Sequence, residues 1–476
     1  MSELGTEANP LRVAIIGSGP SGFYAADPLL KQTDLVIQVD MYDRLPTPYG
    51  LVRGGVAPDH PKIKSVSKVY DKTAANPNFR FYGNVELGKD ISHEELKQHY
   101  HAIVYAVGSQ TDRRLGIPGE DLHGSYPATE FVAWYNAHPD FCHLTFDLSQ
   151  ESVAVIGNGN VAMDVVRILA SSYEELRQTD IADYALEALR NSKVKDIYML
   201  GRRGPAQAAF TNPELKEFGE LAEADVVISP EAAAADAVSR AALDANPDSA
   251  VEKNLKVMAE YAQRPLSGKP KRIHMIFLVS PTEIEGENDH VTAIKLVENQ
   301  LQAGSDGSLK ARATDKTFTL PVGLVFRSIG YMGVPLEGIP FDQRSATIPN
   351  AQGRVIDPET KTPVVGEYVV GWIKRGPSGI IGTNRPDSVE TVEKLLEDVP
   401  TLSALDPTQA SRESMEALIK SRQPDYVTYE DWLLLDQIER ENGQLQNRPR
   451  IKFSRIEDML VALKKVKSSQ VSNPVS

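Results

Sequence analysis

Residues 11–22, Leu-Arg-Val-Ala-Ile-Ile-Gly-Ser-Gly-Pro-Ser-Gly, decide the fold of this chain. The β-branched run that ends at Gly17 predicts a buried strand, and residues 21–30 predict a helix directly after it. Gly17 permits a tight turn, Gly19 lets the backbone approach a pyrophosphate, and Gly22 lets the helix pack closely on the strand. Because the first N–H groups of a helix bind anions, this strand–turn–helix predicts a dinucleotide-binding unit.

An acidic residue at the end of the second strand would hold the ribose of such a nucleotide. Residues 35–42 predict that strand, and Asp43 follows it, about 20 residues after the glycine turn. Asp40 is a competing candidate for the same role, and the sequence leaves the choice between them open.

A second fingerprint starts after the predicted strand Ser152–Ile156 and reads Gly157-Asn158-Gly159-Asn160-Val161-Ala162. No acid ends the strand that follows it, residues 194–200. The chain continues instead with Gly-Arg202-Arg203-Gly, and two guanidinium groups at this place indicate a 2′-phosphate. The second unit is therefore predicted to bind NADP(H) rather than NAD(H).

Two nucleotide-binding units in one chain require a second cofactor besides NADP(H). FAD is the economical choice because its ADP half binds the same fold. We predict an α/β protein with two Rossmann-like dinucleotide-binding domains, in which the FAD domain is discontinuous and the NADP domain is inserted. The predicted ranges are 1–109 for the first part of the FAD domain, 110–328 for the NADP domain, and 329–476 for the second FAD part with C-terminal helices.

Residues 270–330 alternate apolar and polar side chains in several short stretches. The stretches IHMIFLV, HVTAIKLVE and GLVFRSIG are examples, and such alternation predicts strands added antiparallel to a sheet. The C-terminal part favours helices, for example over residues 388–396 and 430–441.

The composition excludes several classes of protein. Of the 476 residues, 41% are hydrophobic and 24% are charged, with a formal net charge of −14, which argues against disorder and against general nucleic-acid binding. The sequence predicts no membrane-spanning helix and neither a secretory signal nor a transit peptide. Cys142 is the single cysteine, so an intrachain disulfide, a CxxC pair and cysteine-bound iron–sulfur or zinc sites are excluded, and a reducing, cytoplasmic location is expected.

Five stretches together resemble one family. They are Pro46-Thr-Pro-Tyr-Gly-Leu-Val-Arg53, Val56-Ala-Pro-Asp-His-Pro-Lys62, Gly157-Asn-Gly-Asn-Val161, Gly201-Arg-Arg-Gly-Pro205 and Gly371-Trp-Ile-Lys-Arg-Gly-Pro-Ser-Gly379. The combination is similar to adrenodoxin reductase and its bacterial counterparts, the FprA-type ferredoxin–NADP reductases. The likeness runs from about Leu11 to beyond Arg450 and implies a glutathione-reductase-like arrangement of the two domains.

The resemblance also implies roles for individual residues. For FAD it implies Gly17, Gly19, Pro20, Ser21, Gly22, Asp43, Leu51, Leu87, Trp372, Gly379, Ile380 and Ile381. For NADP it implies Arg113, Asn158, Gly159, Asn160, Val161, Arg202, Arg203, Glu214 and Gly379. His60 and Glu214 match a catalytic pair near the flavin and nicotinamide. The family usually has Glu in place of Asp43 and often Trp in place of Tyr49, so this chain departs from the family at one position expected to contact the ribose and at one expected to pack near the flavin.

The segment around Trp372 has a physical argument of its own. Gly376, Pro377, Gly379 and Gly382 let backbone N–H groups approach a ligand, and the predicted helix over residues 388–396 could direct its dipole at the flavin.

The predicted reaction is hydride transfer from NADPH C4 to FAD N5, followed by two one-electron transfers to a ferredoxin. A cytochrome P450 is one conceivable final acceptor. Because ferredoxins are typically acidic, an acidic reductase needs a local basic surface to meet one. The predicted docking residues are Arg53, Lys62, Lys64, Lys68 and Lys72, with Lys374 and Arg375.

Other functions are weighed against this one. A disulfide reductase needs two cysteines and is excluded, and a subunit like the small one of glutamate synthase would need a cysteine-rich cluster segment. A flavin-dependent NADPH oxidase or monooxygenase and a non-catalytic NADPH-binding protein remain as alternatives. The sequence does not identify the ferredoxin, its cluster type, the pathway, the direction of electron flow or the oligomeric state, for which a monomer is one possibility.

Overall fold

The structure, a computed structural model, describes residues 3–304 and 308–472. The chain divides into two compact units. The first contains residues 1–56, 60–111 and 331–476, and the second contains residues 57–59 and 112–330. The short strands Thr111–Asp112 and Tyr331–Met332 are located where the chain passes from one unit to the other.

Within the described residues, the first unit has one seven-stranded sheet. Its strands, in spatial order, are Asn350–Ala351, Arg354–Ile356, Pro363–Val369, Ala102–Tyr105, Leu11–Ile16, Ile37–Asp43 and Phe79–Gly83. The last five run parallel, and the first two pair antiparallel at one edge. Because parallel strands start and end together, the glycine turn after residue 16 and the end of the next strand lie at the same edge.

The apolar run at residues 11–16 is explained by burial on both faces of this sheet. Val13 and Ile15 pack into one hydrophobic cluster, whereas Ala14 and Ile16 pack into another. The α-helices of this unit are Pro20–Leu30, Leu51–Gly54, Pro61–Lys64, Ser67–Ala74, His93–His99, Trp372–Arg375, Asn384–Asp398, Arg412–Arg422, Tyr429–Gln444 and Ile456–Ser472.

Six of the described strands of the second unit form a parallel sheet. In spatial order they are Ser125–Pro127, Leu324–Arg327, Ser152–Ile156, Asp196–Leu200, Lys271–Ile276 and Ala224–Val227. The α-helices of this unit are Ala128–Tyr135, Asn160–Ala170, Tyr173–Leu176, Asp183–Arg190, Asn212–Phe218, Pro230–Ala233, Ala237–Ala245 and Ser249–Gln263. Alternate residues of the strand at 152–156 again pack into two different clusters.

The prediction for residues 270–330 is partly wrong. Lys271–Ile276 and Leu324–Arg327 are parallel strands of the six-stranded sheet rather than antiparallel additions to it. The intervening strands Val279–Glu287, His290–Ala303 and Leu309–Pro321 do pair antiparallel, but they form a separate sheet. Among the described residues, no helix combines the length and apolar composition that crossing a bilayer requires.

Candidate functional site

The glycine turn of the first unit combines two tightly packed glycines with an open one. Gly17 lies at φ +104°, and a Cβ there would lie 2.6 Å from the carbonyl oxygen of Ala106. A Cβ on Gly22 would lie 2.3 Å from the carbonyl oxygen of Gly17. A Cβ on Gly19, in contrast, would meet no described atom within 4 Å. This turn therefore presents bare backbone to open space at the start of helix Pro20–Leu30, as a bound pyrophosphate requires.

Asp43 lies at the end of its strand, next to this turn. Its carboxylate accepts hydrogen bonds from the Ser18 N–H (3.0 Å), the Ser18 hydroxyl (2.5 Å) and the Leu45 N–H (2.9 Å). The Val85 N–H donates to the Asp43 carbonyl (3.0 Å), and this holds the segment leading to the partly buried Leu87 beside the same strand end.

Asp40 has a different environment. It is buried in the middle of the strand and accepts a hydrogen bond from the Tyr100 hydroxyl at 2.8 Å. The guanidinium groups of Arg12 and Arg412 lie 3.6 and 3.4 Å from its oxygens. Its carboxylate thus balances two buried cations inside the protein, and the acid at the strand end is Asp43.

Residues 49–51 lie across the glycine turn. The Tyr49 N–H donates to the Ser18 carbonyl (2.9 Å), and a Cβ on Gly50 would lie 3.0 Å from Gly19 Cα. Leu51 begins a short helix and is 38% exposed. The Tyr49 ring itself points into the core, where it packs edge-on against Trp432.

The segment that contains Trp372 is joined to the first helix of the unit. The Gly371 N–H donates to Asp387 (2.6 Å), and the Ser388 hydroxyl donates to the Ser21 carbonyl (3.1 Å). Asp387 and Ser388 belong to helix Asn384–Asp398, which packs against Pro20–Leu30. The contacts bring the Trp372 segment to the helix that follows the first glycine turn.

The turn after Trp372 leaves backbone accessible. The Trp372 indole donates to the Ser378 carbonyl (3.2 Å), and the Tyr331 ring lies 5.4 Å from the indole. Gly379 and Ile380 are exposed, and Ile381 is partly buried. The predicted FAD residues therefore all belong to the first unit, and Gly379, also predicted for NADP, lies there too.

The second unit repeats the geometry of the glycine turn. A Cβ on Gly157 would lie 2.1 Å from the Ser328 carbonyl oxygen, whereas a Cβ on Gly159 would meet no described atom within 4 Å. Helix Asn160–Ala170 starts here with no acidic residue in its first turn, so its free N–H groups can bind an anion. The Asn160 side chain accepts a hydrogen bond from the Thr211 N–H (2.9 Å).

Three arginines of the second unit expose their side chains. Arg202 and Arg203 follow strand Asp196–Leu200, and Arg113 donates its N–H to the Gly330 carbonyl (2.9 Å). None of the three guanidinium groups forms an ion pair with a described residue. Uncompensated, exposed guanidinium groups beside a glycine turn suit a nucleotide with an additional phosphate.

Glu214 is bound by a buried arginine. Arg167, 2% exposed, donates from Nη1 to Glu214 (2.9 Å) and from Nε and Nη2 to both oxygens of Asp59 (2.6 and 3.0 Å). It also contacts Asp164 at 2.7 Å and Glu217 at 3.3 Å. Burial alone would lower the pKa of Arg167, but Asp164 and Asp59 raise that pKa well above its usual range. The arginine is held charged among these acids.

This arginine was not predicted from the sequence. Its only signal is its position in the helix of the second fingerprint, where it interrupts the apolar run Val165–Leu169. His60 directly follows Asp59 and precedes helix Pro61–Lys64. The ion pair of Asp59 with Arg167 therefore fixes the chain immediately before His60.

The chain is similar to proteins of known activity over nearly its whole length. A family model described as pyridine nucleotide-disulphide oxidoreductase matches residues 11–200. The NADPH-ferredoxin reductase FprA of Mycobacterium leprae is 46% identical over 456 residues, which cover 94% of this chain and 97% of the relative. The mitochondrial NADPH:adrenodoxin oxidoreductase of Arabidopsis thaliana is 38% identical and covers 96% of each chain. The chain belongs to the FprA and adrenodoxin reductase family.

The structural comparison agrees with this result. The FprA of Mycobacterium tuberculosis in complex with NADPH matches with a TM-score of 0.90 and 45% identity, covering 96% of this chain and all of the other. Membership of the FprA and adrenodoxin reductase family confirms the predicted family, its α/β fold class, the oxidoreductase class and the cofactors FAD and NADP(H). The roles of individual residues and the domain boundaries stay predictions.

Replacing Arg167 by Gln should destabilise the protein strongly. Removing one partner of a buried ion pair costs about 3–5 kcal/mol, and here it leaves Asp59, Asp164, Glu214 and Glu217 without their shared cation. Denaturant unfolding followed by circular dichroism measures the loss.

Arg190→Gln is the matched control for this variant. Its ion pair with Glu187 is exposed on both sides and is expected to contribute less than about 1 kcal/mol. Equal losses of stability in the two variants would contradict the importance of the buried cluster.

Proposed function

We propose that this chain transfers electrons from NADPH, through bound FAD, to a ferredoxin-type iron–sulfur protein. The observation that carries the proposal is the presence of two open glycine turns in one chain. One lies next to an aspartate, and the other lies next to two exposed arginines that form no ion pair with a described residue. The relatives named NADPH-ferredoxin reductase and NADPH:adrenodoxin oxidoreductase support the same reaction. A cytoplasmic location, expected from the single cysteine, is part of the proposal.

Each cofactor is proposed for one unit. We assign FAD to residues 1–109 and 329–476, and NADP to residues 110–328. When bound, FAD supplies the chemistry that exchanges one hydride for two single electrons. The chain's own residues would bind and orient FAD. The open backbone at Gly19 would contact its pyrophosphate, and the Asp43 carboxylate would accept a hydrogen bond from a hydroxyl of its ribose.

On the NADP side, the first turn of helix Asn160–Ala170 is proposed to bind the pyrophosphate through its N–H groups. Arg202 and Arg203 are proposed to bind the 2′-phosphate. Glu214 is held in place by Arg167, and we propose it and His60 as the catalytic pair on the strength of the family resemblance. The contacts of Arg167 support a fixed orientation of the Glu214 carboxylate.

The proposed docking surface for ferredoxin is smaller than the sequence suggested. Arg53 forms a hydrogen-bonded ion pair with the fully buried Glu439 and stacks on Trp432. Lys374 is bound to Asp387 and Glu390. Arg375 donates to Ser378 and Asn384. These three cations have structural roles, and we leave them out of the docking surface.

Four lysines remain, which we name the lysine surface: Lys62, Lys64, Lys68 and Lys72. Lys62, Lys68 and Lys72 are exposed, and the exposed apolar side chains Ile63 and Val69 lie among them.

Each of the two acids in the same stretch has a partner outside this surface. Asp71 accepts hydrogen bonds from the hydroxyls of Tyr49 and Tyr429, and Asp59 is bound by Arg167. A basic surface with apolar side chains and no exposed acid of its own suits an acidic partner.

The test of the proposed function is NADPH-driven reduction of cytochrome c by the purified flavoprotein, with and without an added ferredoxin. Reduction that depends on ferredoxin supports the proposal. Equal NADPH oxidation with oxygen alone would favour the oxidase or monooxygenase alternative, and purified protein without flavin colour would favour a non-catalytic NADPH-binding protein.

Changing Arg202 and Arg203 to Ala should raise the KM for NADPH by at least about tenfold, because a doubly charged phosphate loses two charge-assisted partners. The KM for NADH should change less than about twofold, since NADH has no 2′-phosphate. Steady-state assays with both nucleotides measure the difference. Similar increases for NADPH and NADH would overturn the assignment of the 2′-phosphate site.

Reversing charge on the lysine surface should slow the reaction with ferredoxin. In the double variant Lys68→Glu and Lys72→Glu, the ferredoxin-dependent rate should fall about tenfold at low salt, because the complementary charge is lost. The salt dependence of the rate should also become weaker. Stopped-flow reduction of ferredoxin at several salt concentrations measures both effects.

The control is a second double variant with the same change of net charge at a different place in the first unit. Lys420→Glu and Lys465→Glu replace exposed lysines on helices Arg412–Arg422 and Ile456–Ser472. If this control slows the reaction as much as the lysine-surface variant, net charge rather than a docking surface determines the rate.

A further inference from the structure

Three consecutive backbone carbonyl groups, those of residues 201–203, each accept a hydrogen bond that fixes the segment carrying Arg202 and Arg203. The Gly201 carbonyl accepts a hydrogen bond from the Val279 N–H (3.0 Å), and the Arg203 carbonyl accepts one from the Leu278 N–H (3.2 Å). The carbonyl between them, that of Arg202, accepts its hydrogen bond from a side chain. Both arginine side chains remain exposed.

That side chain is Asn299, which is 8% exposed and lies on strand His290–Ala303. Its Nδ2 donates to the Arg202 carbonyl (3.0 Å) and to the Ser280 hydroxyl (2.8 Å). Its own N–H donates to the Leu278 carbonyl (2.7 Å), and Leu278 lies at φ +57°. One residue thus contacts both the arginine segment and the segment that holds it.

An asparagine is unexpected at this buried position of the strand. Its neighbouring buried positions are apolar, among them Val291, Leu296 and Leu301. Leu301, two residues further on, faces the same loop, because its Cδ1 lies 3.6 Å from where a Cβ on Gly204 would be. A buried amide among apolar residues is unfavourable unless its hydrogen bonds are made, and here both amide hydrogens are used.

We propose that Asn299 positions the Arg202–Arg203 pair and thereby sets the preference for a nucleotide with a 2′-phosphate. The inference rests on the proposed role of these arginines. Asn299 acts through the Arg202 carbonyl and donates no bond to the nucleotide. Its effect is to order the loop before binding, so that less conformational entropy is lost when the two guanidinium groups bind the phosphate.

The test uses the FAD-loaded enzyme and two probes, 2′,5′-ADP and 5′-ADP, which differ by the 2′-phosphate alone. In Asn299→Leu, close in size, and in Asn299→Val, suited to a strand, no group replaces the amide donor. Calorimetric Kd values for 2′,5′-ADP should rise about five- to twentyfold, corresponding to the loss of one hydrogen bond and a less ordered loop. The Kd for 5′-ADP should change less than about twofold, and kcat at saturating NADPH should stay near that of the unaltered enzyme.

Two matched variants control for position and for the second hydrogen bond. Gln300→Leu alters the exposed neighbour on the same strand, and Ser280→Ala removes the other acceptor of the Asn299 amide. Neither should change the ratio of the two Kd values by more than about twofold, because the bond to Arg202 remains.

The outcomes separate this inference from the proposed function. If the unaltered enzyme binds 2′,5′-ADP no more tightly than 5′-ADP, the 2′-phosphate assignment fails and the role of Asn299 fails with it. If the unaltered enzyme discriminates and both Asn299 variants keep the same ratio, or lose affinity for both probes equally, only the role of Asn299 is overturned. Loss of the folded, yellow enzyme in both variants would also overturn it, since a positioning residue leaves the fold intact.

Discussion

In each unit, one close contact between two backbone segments leaves no room for a side chain and determines how the strand continues into the helix. At Gly17 and at Gly157 the backbone passes so close to a carbonyl of the neighbouring strand end, Ala106 or Ser328, that a Cβ would collide with it. These contacts direct the chain from the strand into the helix at the carboxyl edge of the sheet. The open glycines, Asp43 and the arginine pair all lie at the edges that these turns define.

The local pattern of the sequence was sufficient for the elements that carry the fingerprints. The strands at 11–16 and 152–156 have the predicted ends, because a continuous apolar run bounded by glycine specifies a buried parallel strand. Over residues 270–330 alternation was misleading. Lys271–Ile276 alternates although it is parallel, since its position toward one side of the sheet leaves its side chains partly exposed, and periodicity does not reveal strand direction.

The sites show the same limit. The glycines, Asp43 and the arginine pair are encoded within short segments, whereas the residues that hold them are contributed by distant segments. Asp59 reaches Arg167 and Asn299 reaches Arg202 only through the fold, and neither pairing has a signal in the spacing. The sequence also does not show which cations are already bound to a buried carboxylate, as Arg53 is bound to Glu439.

The division of the chain has a consequence for synthesis on the ribosome. The six-stranded sheet of the second unit uses strands between residues 125 and 327, so it can form as soon as that stretch emerges. Strand Ala102–Tyr105 of the first unit is made earlier, but its neighbour Pro363–Val369 is made much later. Until then the early strand presents an unpaired edge, and such edges pair with other chains. We therefore expect the N-terminal part of this sheet to be prone to aggregation until strand Pro363–Val369 has been made.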